Sequence, residues 1–231
     1  MCSVALFFVV GFDYLRAVEK RSAMVALAAV VLISAMDAQR RLKDYEAEPA
    51  RRYQEIAVEP DALFSGYPVV THCGIFYQGM TSSRTGREGY VLRWLHDGQL
   101  STFDFGGNEL RPVAAGDGCG IEFEHVAHRR STFLRLDPLT SRTVAASAPA
   151  DPNPDNGVVS PDGKWRVRVH ETATSEQLWL ESTATGKATQ LAGGSCNNNS
   201  PAWELDSSAV IFASDCGRAY GLPALYRAPV R

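Results

Sequence analysis

The stretch Ser160-Pro161-Asp162-Gly163-Lys164-Trp165-Arg166-Val167-Arg168-Val169-His170-Glu171 decides the fold. Pro-Asp-Gly marks a tight turn, because Gly takes a left-handed backbone without steric cost and Asp hydrogen-bonds the backbone two residues on. After the turn Trp165, Val167 and Val169 alternate with Arg166, Arg168 and His170. A two-residue period predicts a strand in a sheet with two distinct faces. Gln177-Leu178-Trp179-Leu180-Glu181 predicts the next strand, Thr185-Gly186 a turn, and residues 188–191 a further strand. With Val158-Val159 upstream, the unit reads as four short strands, A to D.

The turn recurs. Cys73-Gly74, Cys119-Gly120, Asp162-Gly163 and Asp206-Ser207 follow one another in steps of 46, 43 and 44 residues. An apolar residue in a following strand recurs as Leu92, Leu134, Leu178 and Leu225, in steps of 42, 44 and 47. A period of ~40–45 residues with four strands per unit is the signature of a propeller blade. The expected fold is all-β, a β-propeller of about four blades at 64–106, 107–150, 151–194 and 195–231. In the fourth unit, 201–203 reads as A, 209–214 as B and 225–230 as C, with no D strand after them. An outer strand without a neighbour is a liability. The β-prone segment 54–58, with Ile56 and Val58 alternating with Glu55 and Ala57, is expected to pair beside 225–231 and close a four-bladed ring. The alternative is an open arc completed by a partner.

Ser160-Pro161-Asp162-Gly163-Lys164, a strand, and then Gln177-Leu178-Trp179-Leu180 resemble the repeat of TolB-type propellers. Asn198-Asn199-Ser200-Pro201-Ala202-Trp203 and Val210-Ile211-Phe212-Ala213-Ser214-Asp215 resemble it too. The resemblance covers residues 153–231 and is weaker over 64–148, where Cys-Gly stands in place of Asp-Gly. It implies the fold and says little about activity. Propellers of this kind occur as periplasmic interaction modules, as sensor domains, and as the gating domain of prolyl-oligopeptidase-like peptidases.

Residues 1–36 differ from the rest. Two apolar runs, 4–12 and 22–36, flank a charged stretch that contains Arg16, Lys20 and Arg21. Fifteen uncharged residues as helix reach only ~22 Å, against a hydrocarbon core of ~30 Å. The segment reads as a short apolar helical signal or anchor, or as the end of a longer membrane domain. Residues 37–53 are rich in charge and read as a polar helical stalk or linker. The propeller domain then occupies 54–231.

The chemistry is sparse. A net charge of −3 gives no reason to expect nucleic acid as a partner. A serine peptidase of the related type needs a G-x-S-x-G elbow, and none occurs. The five histidines have no metal-ligand spacing. Asp151, Asn153 and Asp155 carry part of a calcium-loop pattern. Gly falls one place late, however, and no Glu stands at the twelfth position, so the stretch reads better as a Pro/Asx-rich connection. Asp215 and Arg218 form the most distinctive polar cluster. They read either as a ligand-facing loop or, more simply, as a strand-end turn with local pairing.

Cys196 and Cys216 flank the A–B hairpin of the fourth unit and lie at its open end, where a disulfide is expected. Cys73 and Cys119 are the less favourable pair, because they occupy equivalent turns of neighbouring blades and packed sheets lie ~10 Å apart. Disulfides require an oxidising compartment. The sequence therefore leads to a membrane-tethered, extracytoplasmic (periplasmic) binding or scaffolding propeller, with no catalytic role, no cofactor and no metal. Its expected partner is a protein or a small ligand at the propeller face, with the membrane engaged by the N-terminal segment. The alternative is the accessory or sensor propeller at the C-terminus of a larger membrane protein or enzyme.

Overall fold

Strands with one apolar face persist only when that face is covered, so a repeat of such strands stacks sheet on sheet. The computed structural model describes residues 29–36, 38–39, 53–56, 62–81, 89–116, 118–148, 157–218 and 221–230. The chain divides into two compact units, Met1–Asp44 and Tyr45–Arg231. In the first, residues 29–36 are helical and Val30, Val31, Leu32, Ile33 and Met36 are exposed. The apolar helical segment expected over 1–36 is thus described only there. Among the described residues, no helix is long and apolar enough to cross a membrane. The expectations for 1–28 and for the charged stretch 40–52 lie outside the described residues.

The second unit opens with β1 (Gln54–Glu55). Sheet I contains β2 (Ala62–Thr71), β3 (Gly74–Thr81), β4 (Val91–His96) and β5 (Gln99–Phe103). Sheet II contains β6 (Asn108–Ala114), β7 (Ile121–Ala127), β8 (Arg130–Asp137) and β9 (Arg142–Ala145). Sheet III contains β10 (Val158–Val159), β11 (Trp165–Glu171), β12 (Glu176–Ser182) and β13 (Ala188–Ala192). Each is an antiparallel meander in chain order. Sheet IV joins β14 (Asn198–Trp203), β15 (Ala209–Ser214) and β16 (Ala224–Pro229) to β1, in the order β14-β15-β16-β1.

The fourth strand of sheet IV therefore precedes sheet I in the chain. Gln54 lies opposite Arg227, Glu55 lies opposite Tyr226, and the Ile56 amide donates to the Leu225 carbonyl at 3.0 Å. Ile56 packs on Tyr77, Ala213 and Leu225, and the Arg218 guanidinium donates to Glu55 at 2.6 Å. Residues 57 and 58 of the expected closing strand lie outside the described residues.

Three junctions between sheets repeat one contact, in which the first three strands of a sheet lie against the first strand of the next. β2, β3 and β4 lie on β6; β10, β11 and β12 on β14; and β14, β15 and β16 on β2. The cores follow this order. Val69, Phe76 and Leu92 pack with Ile121, Phe123 and Leu136 between sheets I and II. Val167, Leu178 and Leu180 pack with Trp203, Val210 and Phe212 between sheets III and IV.

Between sheets II and III no pair of strands packs to a comparable extent among the described residues. Among the described residues the four blades thus pack in the order II, I, IV, III without the II–III junction that the expected four-bladed ring requires. The reason is visible in two strands. β7 turns Ile121 and Phe123 toward sheet I, which leaves Glu122 and Glu124 on its other face. β11 turns Trp165 and Val167 toward sheet IV, which leaves Arg166, Arg168 and His170 on its other face. The equivalent position after the turn holds Phe76 in sheet I and Trp165 in sheet III, but Glu122 in sheet II. Charged groups lose hydration when packed, so at these central positions the junction has less apolar drive than the other three.

The innermost strands of sheets I, II and IV share a local device. Their pairing slips at Tyr67-Pro68, Arg111-Pro112 and Ser200-Pro201. The residue before each proline has φ of 52°, 47° and 50°. Proline brings no ladder donor, and a bulge leaves its extra residue unpaired. A non-glycine residue in the left-handed region costs ~1–2 kcal/mol. At Arg111 the freed amide is recovered across the junction, where it donates to Gln78 Oε1 at 2.9 Å.

Replacing Ile56 by Pro removes the amide that binds Leu225 and part of an apolar cluster. The expected loss is roughly 2–4 kcal/mol of unfolding free energy, read by urea denaturation. Ile56→Val is expected to cost about 1 kcal/mol. Equal midpoints for Ile56→Pro and wild type would remove β1 from the account.

Candidate functional site

The bulges and a triple asparagine build a concave surface on the second unit. A cleft of about 400 Å³ runs between sheets I, III and IV, lined by Tyr67 of β2, Val167, Val169 and Glu171 of β11, Glu176 of β12, and Asn199-Ser200-Pro201 of β14. A smaller hollow of about 170 Å³ shares Tyr67, Glu176, Asn199 and Ser200, and adds Phe64, Asn197 and Asp215. Tyr67 and Ser200, both in left-handed backbone, therefore lie at the cleft.

Two carboxylates face each other there. Glu171 and Glu176 are register partners across β11 and β12, a like-charged pair that destabilises a sheet when left unbalanced. Asn199 Nδ2 donates to Glu176 Oε2 at 2.6 Å. Among the described residues, no Lys or Arg forms an ion pair with either glutamate. The cleft thus combines acceptor-only carboxylates, a tyrosine, an aliphatic wall and amide groups.

The three asparagines divide the work. Asn198 is fully buried, and its Nδ2 reaches the carbonyls of Glu176, Gly193 and Cys196, while its Oδ1 accepts from Ser214 Oγ at 2.9 Å. Asn197 binds Asp215, through its amide to Oδ1 at 2.8 Å and its Nδ2 to Oδ2 at 3.0 Å. Asn199 meets Glu176 in the cleft. The Asn-Asn-Asn run thus ties sheet III to sheet IV and sets one cleft wall.

Asp215 and Arg218, the ligand-facing candidates of the sequence, are both committed to internal contacts. Asp215 is buried, and besides Asn197 it accepts the Gly221 amide at 2.9 Å. Arg218 holds Glu55. Asp151, Asn153 and Asp155 lie outside the described residues. Tyr67, Glu171 and Glu176 escaped sequence reasoning. The signal that marks the cleft is the x-Pro pair at 67–68, 111–112 and 200–201, whose first step is 44 residues, one blade repeat.

Both cysteine pairs are bonded. Cys196 and Cys216, each fully buried, have Cα atoms 5.1 Å apart, as do Cys73 and Cys119. The second bond departs from the expected ~10 Å sheet spacing. The β2–β3 turn and the loop before β7 converge, and the His72 amide donates to the Gly118 carbonyl at 2.8 Å. Away from the cleft, Glu109 of β6 is fully buried, with Oε1 3.1 Å from His125 Nδ1. Burial pushes its carboxyl above the usual range, against the pull of the His125 hydrogen bond.

No protein-family model matches the chain, and no curated protein matches it. Solved structures do. A putative TolB from Agrobacterium tumefaciens is 18% identical over 79% of this chain and 63% of its own, with a TM-score of 0.30. TolB from Acinetobacter baumannii is 21% identical over 63% of this chain and 36% of its own, with a TM-score of 0.26. An oligogalacturonate lyase from Vibrio parahaemolyticus is 15% identical over 73% of this chain and 49% of its own, with a TM-score of 0.28. The chain spans less than two thirds of each. At this level the likeness concerns the sheets alone, and the propeller assignment rests on the four sheets described above. The expectation that the chain has no catalytic role is corrected here. A lyase stands among the similar structures, so membership of this architecture excludes no activity.

The Cys196–Cys216 bond anchors the start of β14, and with it the cleft wall. Replacing both by Ser is expected to cost ~3 kcal/mol for a loop of this size, and the Cys73–Cys119 pair ~4 kcal/mol, measured by urea denaturation of the oxidised proteins. Peptide mapping without reductant that returns all four as free thiols in the protein isolated from its own cells would contradict both bonds.

Proposed function

We propose that this chain is an exported, membrane-tethered binding module that takes a cationic group of a protein partner into the cleft between sheets I, III and IV. The observation that carries the reading is the facing pair Glu171 and Glu176 beside Tyr67. Two carboxylates in a concave, partly apolar site favour a Lys or Arg side chain, whose charge relieves their mutual repulsion and whose stem lies along Val167 and Val169. Tyr67 supplies an aromatic face for the same cation. A wall fixed by Asn198 and a disulfide keeps the site preorganised, which lowers the entropy cost of binding.

Export is supported by two disulfides in one small domain, a usage suited to an oxidising compartment. Tethering is supported by the exposed apolar side chains Val30 to Ile33 and Met36 on the helix at 29–36. The predicted partner meets the propeller on the extracytoplasmic side.

The test places a photo-crosslinking amino acid at Tyr67 and, as control, at Lys187 in an exposed turn of sheet III, in the full chain expressed in its own cells. Irradiation is expected to give a discrete adduct from position 67 and none from 187. The adduct should fall at least ~10-fold, the worth of one good charge contact, when Glu171 and Glu176 are both changed to Gln. Equal labelling at the two positions, or an adduct indifferent to the two Gln changes, would refute the reading.

A further inference from the structure

The open junction carries a second surface, independent of the cleft. Sheet II presents Glu122 and Glu124, two residues apart on its second strand. Sheet III presents Arg166 and Arg168, two residues apart on its second strand. In each strand the alternate residues are already buried against the neighbouring sheet, and among the described residues no other sheet packs on these half-exposed faces to the extent seen at the other junctions.

We propose that the two faces meet between two copies of this chain, sheet II of one on sheet III of the other. Applied twice about a two-fold axis, this closes a ring of eight blades. Three features favour a second copy as the occupant. The first is charge. Arg166 and Arg168 share one carboxylate, Glu181, at 3.8 and 3.1 Å, so the sheet III face holds an excess cation. On sheet II, Glu124 accepts the Ser131 hydroxyl on Oε1 and pairs through Oε2 with the exposed guanidinium of Arg111 at 2.8 Å, a contact that a better-covered arginine can replace. Arg135 stands opposite Glu122.

The second feature is composition. Trp179 sits half-buried in the middle of the sheet III face, opposite Arg168, with its indole N–H enclosed and without an acceptor among the described residues. Phe133 occupies the sheet II face opposite Glu124. Val159 and Val144 are exposed at the margins, 44% and 57%. Tryptophan and arginine ringed by lesser contacts are what binding surfaces concentrate.

The third feature is geometry. Three junctions obey one contact rule and, among the described residues, the fourth is not made, so each chain carries both halves of the same kind of joint. A two-fold pairing satisfies both halves at once and leaves no edge for further growth. Eight blades lie within the range that propellers adopt, ~4–8.

Sedimentation equilibrium of the full chain in density-matched mild detergent tests the proposal. At 100 µM and low salt the expected mass is twice the 25.2 kDa of one chain. Dissociation is expected to be about tenfold easier at 0.5 M salt, as screening of charged contacts requires. Glu122→Arg with Glu124→Arg, and Arg166→Glu with Arg168→Glu, are each expected to give the single-chain mass. An equimolar mixture of the two variants should regain the double mass, because both junctions of the mixed pair are again complementary. Trp179→Ala serves as a milder variant should a charge reversal unfold the chain, and is expected to weaken association at least tenfold. A wild type that stays at the single-chain mass overturns the proposal. So does a dimer unaffected by all three variants, and so does a mixture of folded charge variants that fails to associate.

Discussion

The amide of Ile56 donates to the carbonyl of Leu225, and around that bond the fourth strand of sheet IV is laid down. Sheet IV is packed on one side by sheet III and on the other by sheet I. Its middle strand, β15, is buried at all six residues. An unpaired β16 would expose a row of donors and acceptors at the edge of that sheet. Pairing it with a segment from before sheet I links the first and last blades through hydrogen bonds, the Glu55–Arg218 ion pair and the packing of Ile56. Blades one and four then become neighbours although they lie furthest apart in the chain.

That neighbourhood creates the cleft. Tyr67 comes from sheet I, Glu171 and Glu176 from sheet III, and Asn199 to Pro201 from sheet IV. Left-handed residues before prolines in β2, β6 and β14 each cost ~1–2 kcal/mol, a sizeable fraction of a domain stability of ~5–15 kcal/mol. Backbone of this kind persists where the surroundings over-determine it. The Gln78 contact to Arg111 and the burial of Ser200 provide such surroundings. The opposed charges on β7 and β11 act the other way, since they withhold the apolar contact that holds the remaining junctions.

The repeat was legible because its parts are local. A Pro-Asp-Gly turn and alternating Trp165, Val167 and Val169 fall directly on β11, and Val158–Val159 on β10. β14 begins at Asn198, three residues before the strand read from Pro201, because an Asn-Asn-Ser run carries no strand propensity. Its pairing comes from Ser214 and Asp215, which only the folded hairpin brings near. The Cys73–Cys119 bond escaped for a related reason. Average sheet spacing says nothing of where two loops converge, and the His72–Gly118 hydrogen bond sets that locally. The open junction was written in the sequence as Glu122 and Glu124 at positions where another blade carries Phe76 and Gln78. Reading it required knowing which face of β7 meets sheet I.

Hydrogen exchange at the Ile56 amide tests the central arrangement most directly, because that proton is either held on Leu225 or free in a linker. The account predicts exchange slowed to the range of the β15 amides, which open only with the sheet. Exchange at the rate of an unstructured peptide, with β15 still protected, would show that the first strand does not complete sheet IV, and would remove the link that joins the first blade to the last.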